Sequence, residues 1–385
     1  MTAGTETTRK TGILTTHRAN NYGAMLQSYA LAHVINNRLG YKAEIVDYRS
    51  RSLEKLYHWP VRWGKNLKTF LALLHHRFLR DRGTYKAFAR FRQQMLPISQ
   101  ETYYTTRELQ KANSRYSAFI AGSDQIWNPR NTTGKVATFD QSFLLDFVEK
   151  GKRKCSYASS IGISEICDEL AAIYKKRLSD FTILSLREHE GARYLSSLLS
   201  KEAHAVCDPV LLMTADDWKE VENPVPLPQK DYVLVYSVGG GKELMNYAKD
   251  LARSKNCALY TIQPPVVGKV CSEKGLALRG VGPAEFVWLI RNAKALVTTS
   301  FHGSAFGLNF QKESHILLAD AKQATQANSR LDSLFTYFGV TPHRKPFPDC
   351  PSRELCIVQP SSSNMQQMDE VRAHSMEILK QIVSY

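Results

Sequence analysis

The sequence predicts an α/β protein in which two Rossmann-like domains face a central cleft. Three observations predict it. Gly12–Tyr48 reads as strand, turn, helix and strand, a βαβ unit whose crossover is right-handed in almost every known case. The same alternation restarts after Glu222–Lys230, a stretch with three prolines in nine residues. The chain has 385 residues, beyond the size at which single cores usually stop growing.

Taken in order, Gly12–His17 is a short apolar run suited to a buried strand, and Asn20–Gly23 is a turn. Leu26, Tyr29, Ala30, His33, Val34 and Leu39 then recur at three and four, predicting a helix over Ala24–Leu39, with Gly40 at its end. Lys42–Tyr48 follows as a strand. Further strands are expected at Ser117–Gly122, Lys154–Ala158, Thr182–Leu186 and Ala203–Pro209, with helices at Ile163–Phe181 and up to Leu199. In the second half, strands fall at Tyr232–Ser237, Cys257–Ile262, Ala295–Thr299 and His315–Ala319. Helices intervene, running to about Ser254, over Pro283–Asn292, to Phe310 and over Ser329–Phe338. The expected division is residues 1–222, with a basic insertion at about 49–95, residues 231–365, and a final helix in 366–385 placed to pack back on the first domain.

Apolar residues make up 43% of the chain and charged residues 23%, which fits a globular enzyme and excludes disorder. The first ten residues are polar and no run approaches the length of a membrane helix, so a cytoplasmic protein is expected. Seven scattered cysteines without any C-x-x-C read as reduced thiols, with no zinc site or disulfide framework. Against 36 acidic residues stand 51 lysines and arginines, a net charge of +15 that favours an anionic partner. Between Arg49 and Arg92 there are twelve basic residues and only Glu54 and Asp81 as acids, with aromatics interleaved. That segment is either an amphipathic insertion with a solvated basic face or a surface for peripheral contact with anionic lipid. No nucleic-acid motif accompanies it, so nucleic acid is not an expected partner.

Three strand ends carry candidate chemistry. Leu296–Phe310 (LVTTSFHGSAFGLNF) places Ser300, His302, Gly303 and Ser304 where a helix begins, a setting that favours anions and lets a histidine act as acid or base. A structural histidine at a strand–helix corner is the alternative. Ile183–Gly191 delivers Arg187, suited to bidentate carboxylate or phosphate binding, unless it merely pairs with Glu188 or Glu190. Gly122–Asn128 (GSDQIWN) offers Ser123, Asp124 and Gln125 as hydrogen-bonding groups and Trp127 as an apolar platform for a sugar ring, or else a turn around a buried tryptophan. Asn20, Asn21 and Gly23 at the first helix, and Asn328 and Arg330, complete the set. The Gly239–Gly241 triplet lacks the G-K-[ST] of a phosphate loop.

In order along the chain, Asn21–Ala24 (NYGA), Gly122–Asn128, Ser156–Gly162 (SYASSIG), Ser185–Glu188 (SLRE), Cys207–Leu212 (CDPVLL), Ser300–Gly303 (SFHG) and Asn328–Phe335 (NSRLDSLF) resemble the polysaccharide pyruvyl transferase family. Each motif is short, and the likeness rests on their order and spacing. The resemblance implies a two-domain fold similar to the GT-B glycosyltransferases, with the acceptor on the first domain and phosphoenolpyruvate in the cleft against the second. It implies catalytic roles for His302 and Arg187, and a ketal product in which two sugar hydroxyls of a capsular or exopolysaccharide, or of its lipid-linked precursor, share one pyruvyl carbon. No metal or organic cofactor is expected. Many members carry an arginine where this chain has Ser300, which passes anion binding to other cations such as Arg330. His17 stands as the candidate for an additional histidine in the first domain. The rival functions are a GT-B-type glycosyltransferase using a nucleotide sugar and a non-catalytic binder of glycan or membrane.

Overall fold

The computed structural model describes residues 10–50, 54, 82–129, 136, 139–162, 166–238, 241–262, 276–319, 324–348 and 350–385, with side chains 324–327 excepted. The Gly239–Gly241 triplet, Gly241 apart, and most of the basic segment 49–92 therefore lie outside the described residues.

The N-terminal sheet holds β1 (Lys10–Leu14), β2 (Lys42–Tyr48), β3 (Ile98–Tyr103), β4 (Ala118–Ala121) and β5 (Arg153–Ser156). Their order is β3-β2-β1-β4-β5, all parallel. Parallel backbone bridges from Cys155 to Ile183 and from Ser159 to Leu186 carry it on to β6 (Leu184–Leu186) and its partner β7 (Ala203–Ala205). The C-terminal sheet repeats the plan. There β8 (Tyr232–Tyr236), β9 (Ala258–Ile262), β10 (Ala277–Leu278), β11 (Ala295–Thr298) and β12 (Glu313–Leu317) lie in the order β10-β9-β8-β11-β12. Each sheet thus reverses direction at its first strand, the switch point where Rossmann-like sheets bind ligands beyond their carboxyl ends. An antiparallel hairpin, β13 (His343–Phe347) and β14 (Cys350–Val358), extends the second sheet beyond β12.

The first helix, α1 (Tyr22–His33), begins two residues earlier than its periodicity predicts and passes into a π-helical turn at Val34–Arg38. Asn21 sets that start: its side chain accepts from the Ala24 amide at 3.1 Å, an N-cap of a strongly preferred type. Every residue from Tyr22 to Ala32 is buried, because α1 lies between the N-terminal sheet and helices of the other domain. Tyr22 stacks on Phe286 with centroids 4.6 Å apart, meets Tyr236 edge-on at 5.5 Å, and donates its hydroxyl to the Val281 carbonyl at 2.9 Å. Aromatic pairs of this kind contribute about 0.5–1.5 kcal/mol each beyond area burial. Trp218 packs against Phe306 nearby, so one apolar core runs through both halves.

The described end of the basic segment forms α2 (Arg82–Met95), which turns Phe88 and Phe91 into the core. Arg90 reaches Glu285 of the other domain at 3.1 Å. Arg92 is buried, donating to the His17 and Arg18 carbonyls and to Asn20, and burial, with Arg18 adding repulsion, pushes its pKa down to about 10. Arg92 is thus structural, whereas Arg90 pairs with Glu285 while its side chain stays largely exposed. Among the described residues no helix is long and apolar enough to cross a membrane.

Continuing in chain order, α3 (Asp168–Leu178), α4 (His189–Leu199) and the short α5 (Pro209–Leu212) belong to the first half. The second contains α6 (Lys242–Ser254), α7 (Pro283–Asn292), α8 (Phe301–Asn309) and α9 (Ala324–Phe338). Ala203–Pro209, expected as one strand, splits at Asp208, whose carboxylate accepts from the Val210 amide and starts α5. The last helix, α10 (Ser362–Val383), crosses back to the N-terminal half. There Arg372 donates to the Leu211 carbonyl at 2.7 Å and the Ser375 hydroxyl accepts from the Cys207 amide at 3.0 Å.

Candidate functional site

The carboxyl ends of β1, β4, β5, β6 and β7 converge, and the start of α8 closes on them from the other domain. Asp208 is the meeting point. It is fully buried, and its Oδ2 accepts from Arg187 Nη1 at 2.8 Å and from Ser123 Oγ at 3.2 Å, with His302 Nε2 at 3.5 Å. Burial pushes the Asp208 carboxyl up, but His302 and Arg187 overcome it and hold the group well below the usual carboxylate range.

Arg187 is also buried. Its Nε approaches Glu188 Oε1 at 3.4 Å, and its guanidinium lies 4.2 Å over the ring of Phe301, the residue preceding His302. Burial disfavours the charge on Arg187, yet Glu188 and Asp208 more than compensate and raise its pKa. Glu188 in turn accepts from Ser160 Oγ at 2.5 Å. Asp124 and Ala158, at the ends of β4 and β5, have φ of 78° and 51°, a left-handed conformation uncommon outside glycine and often found at functional sites.

Around this centre, buried polar atoms have no hydrogen-bond partner among the described residues: Arg187 Nη2, Glu188 Oε2, His302 Nε2 and Arg330 Nε. Buried polar groups are almost always satisfied, so a cluster of exceptions marks a place where a ligand completes the bonding. Arg330 belongs to the same neighbourhood. Burial, with repulsion from Arg187, lowers its pKa to about 10, while Glu188 and Asp124 act in the opposite sense. Two guanidinium groups within each other's field form a ready anion site. Arg330 thus brings a second cation to the neighbourhood of Arg187.

The remaining sequence-predicted residues divide. Ser300 caps α8, accepting from the Gly303 amide at 3.3 Å, and Ser304 donates to the Ser300 carbonyl at 2.9 Å. Gly303 is required for packing, since a Cβ there would lie 2.5 Å from Thr298 Oγ1. Asn328 Oδ1 accepts from the Ala319 amide at 3.3 Å. Asn20 is occupied by Arg92 and Asn21 by its cap, while Asp124 accepts from Thr16 at 3.1 Å and Gln125 from Asn128 at 2.9 Å.

Trp127 is not a sugar platform. It is fully buried, its indole donates to the Phe143 carbonyl at 2.9 Å, and Phe181 packs edge-on against it. His17 is likewise enclosed, its Nε2 3.0 Å from Asp47, and burial lowers its pKa against the pull of that carboxylate. Asp208 and Glu188 were not singled out from sequence as site residues. An Asp-Pro pair after a strand reads as a helix cap, which Asp208 also is, through its other oxygen.

Gly23 contributes by absence of a side chain. A Cβ built there would stand 2.0 Å from His302 Nδ1, so the imidazole rests directly on the start of α1. Gly23→Ala is expected to displace the ring and lower turnover about 100-fold, the scale of a 1 Å misplacement. Steady-state kinetics of the folded variant check this, and turnover near the unaltered level would mean the ring position is not critical. Among the described residues no group of three His, Cys, Asp or Glu is placed to hold a metal ion.

Comparison with known proteins gives the family. No curated protein matches the chain. Similar solved structures include the UDP-GlcNAc 2-epimerase of Methanocaldococcus jannaschii, 11% identical with a TM-score of 0.49, covering 95% of this chain and 99% of that one. They also include the UDP-GlcNAc 2-epimerase of Neisseria meningitidis (8%, TM-score 0.49, coverage 97% and 100%) and a glycosyltransferase of Rickettsia africae (7%, TM-score 0.48, coverage 98% and 99%). The model of the polysaccharide pyruvyl transferase family matches residues 21–318, from the cap of α1 to the end of β12 and through every residue that meets at Asp208. The chain belongs to the polysaccharide pyruvyl transferase family.

Proposed function

We propose that this protein transfers the pyruvyl group of phosphoenolpyruvate to two hydroxyls of a glycan sugar, forming a ketal and releasing phosphate. The observation that carries the reading is the convergence of Arg187 and His302 on Asp208, with Arg330 in the field of Arg187 and unsatisfied nitrogens on all three. Phosphoenolpyruvate has a carboxylate and a phosphate, and the two arginines are the groups to hold them; hydrogen bonds to such charged groups contribute about 1.5–3 kcal/mol each.

His302 is assigned as the general acid. It delivers a proton to the methylene carbon, turning it into a methyl group and leaving positive charge on C2. A first sugar hydroxyl adds to C2 and loses its proton, the C2–O bond to phosphate breaks with the electron pair going to phosphate, and a second hydroxyl closes the ketal with loss of its proton. Of the two protons released, one restores His302 and the other leaves with phosphate or solvent. Asp208 keeps the imidazole oriented, while Glu188, held by Ser160 through one oxygen with the other unpartnered, is assigned to receive a hydroxyl proton.

A thermal-shift titration with phosphoenolpyruvate, beside UDP- and CMP-sugars, tests the donor. A ligand at 100 times its Kd stabilises the native state by about 2.7 kcal/mol. A saturable shift with phosphoenolpyruvate, strongly reduced in Arg330→Ala, is expected. A shift with a nucleotide sugar and none with phosphoenolpyruvate would replace this reading with glycosyl transfer.

A further inference from the structure

A groove of about 610 Å³ lies between the domains, walled by α4 on one side and α9 on the other, with Ala203 and Ala205 of β7 in its lining. Its volume falls within the range of about 300–1,000 Å³ typical of small-molecule sites, but its lining is unusual for one. Among the described residues Ser196, Ser329, Ser333 and Thr336 supply hydroxyls and alanines the apolar side chains. Ser196 accepts from the Ala203 amide, Ser333 from the His189 amide and Thr336 donates to the Asp332 carbonyl, which leaves each of these hydroxyls further hydrogen-bonding capacity. Among the described residues no Phe, Tyr or Trp lines it, and the one ring there, His189, is packed against Tyr337.

Charge argues against an anion. Arg193 is opposed by Glu190 and Asp332, and Asp332 is itself paired with Arg344 at 2.6 Å. His189 adds no fixed charge: burial and the neighbouring Arg193 lower its pKa. Its buried Nε2 has no hydrogen-bond partner among the described residues, while its ring packs 4.8 Å from Tyr337. A hydroxyl-rich lining with an unsatisfied imidazole nitrogen suits an uncharged, polyhydroxylated molecule.

Position ties the groove to the chemistry. His189 follows Arg187 and Glu188 directly in the chain, and Ser329 precedes Arg330. The Tyr337 hydroxyl donates to the Arg187 carbonyl at 3.0 Å, joining the α9 wall to the strand end that presents Arg187. Both walls therefore run outward from the donor cluster.

We propose that this groove between α4 and α9 binds the uncharged sugar residues of the acceptor glycan that flank the one being modified. The proposal rests on the pyruvyl-transfer reading for the glycan's role, though not for its binding. It also relocates the acceptor: Asn20, Asn21 and Trp127 are committed to internal contacts, whereas the groove is open.

The test is isothermal titration of the full chain with neutral trisaccharides (maltotriose, cellotriose, mannotriose and chitotriose), and separately with phosphoenolpyruvate. Two variants block the groove from opposite walls at exposed positions, Thr336→Trp and Arg193→Trp, so neither disturbs the core. Saturable binding of at least one trisaccharide, weakened about tenfold or more in both variants with phosphoenolpyruvate affinity unchanged, is expected. No binding by any trisaccharide, or binding that both variants retain within about twofold, overturns the groove as a glycan site. Trisaccharide binding of the expected kind without phosphoenolpyruvate binding leaves the groove standing and sinks the donor reading.

Discussion

Replacing His302 by alanine or glutamine is expected to lower kcat by about 10²–10⁴-fold, the range a positioned general acid contributes. The pair of substitutions separates two roles. Glutamine keeps an N–H donor of similar reach, so it would preserve much of a purely anion-anchoring function, but it cannot deliver a proton at neutral pH. Proton transfer therefore predicts that both variants fail alike in kcat while the dissociation constant for phosphoenolpyruvate stays near that of the unaltered protein. The geometry favours this outcome. Nδ1 rests on Gly23, and Nε2 faces Asp208 at 3.5 Å, too long to be consumed by that contact and oriented by it all the same. Phosphate release from phosphoenolpyruvate in single-turnover mode is the measurement. A glutamine variant within tenfold of normal kcat would remove His302 from the proton's path.

Asp208→Asn carries the second large effect, this time on stability. The carboxylate is fully buried and pairs with a buried Arg187, and breaking such a pair from one side costs about 3–5 kcal/mol because the remaining charge loses its counter-ion. The pH dependence follows in sign. Asp208 titrates in the folded state well below the ordinary aspartate value of 3.8, so its stabilisation is fully present above that value and is lost as pH falls below it. Urea midpoints of the two proteins should differ most at neutral pH and draw together as the medium is acidified below about 4. A gap as wide at pH 3 as at pH 7 would show that Asp208 contributes by shape rather than by charge. Asp47, held low in the same way by His17 and Arg49, remains in both proteins, so acid unfolding persists in the variant.

Much of the architecture was legible without coordinates because buried parallel strands are short, almost wholly apolar runs. Tyr232–Tyr236 and Ala295–Thr298 are buried throughout, and their composition announces it. Edge strands were not legible for the opposite reason. Ile98–Tyr103 fully buries only Ser99 and Tyr103, and β13, at the edge of the second sheet, contains Pro346 and buries only Phe347, so neither shows an apolar run. The first helix was recognisable from its spacing, yet its start had to wait for Asn21, whose cap is a hydrogen bond and not a periodicity.

The amino-acid sequence by itself determined the two-fold βαβ plan, the family and the candidacy of His302 and Arg187, since periodicity and ordered motifs are local properties of a chain. Tertiary structure alone decided where those residues meet. Only the approach of the two halves lays His302 on Gly23, brings it to the Asp208 that already pairs with Arg187, and sets Arg330 in the field of Arg187. It also turned Trp127 into core and Arg92 into a buried strut, because a side chain's polarity is fixed by chemistry while its solvent is fixed by whatever packs against it.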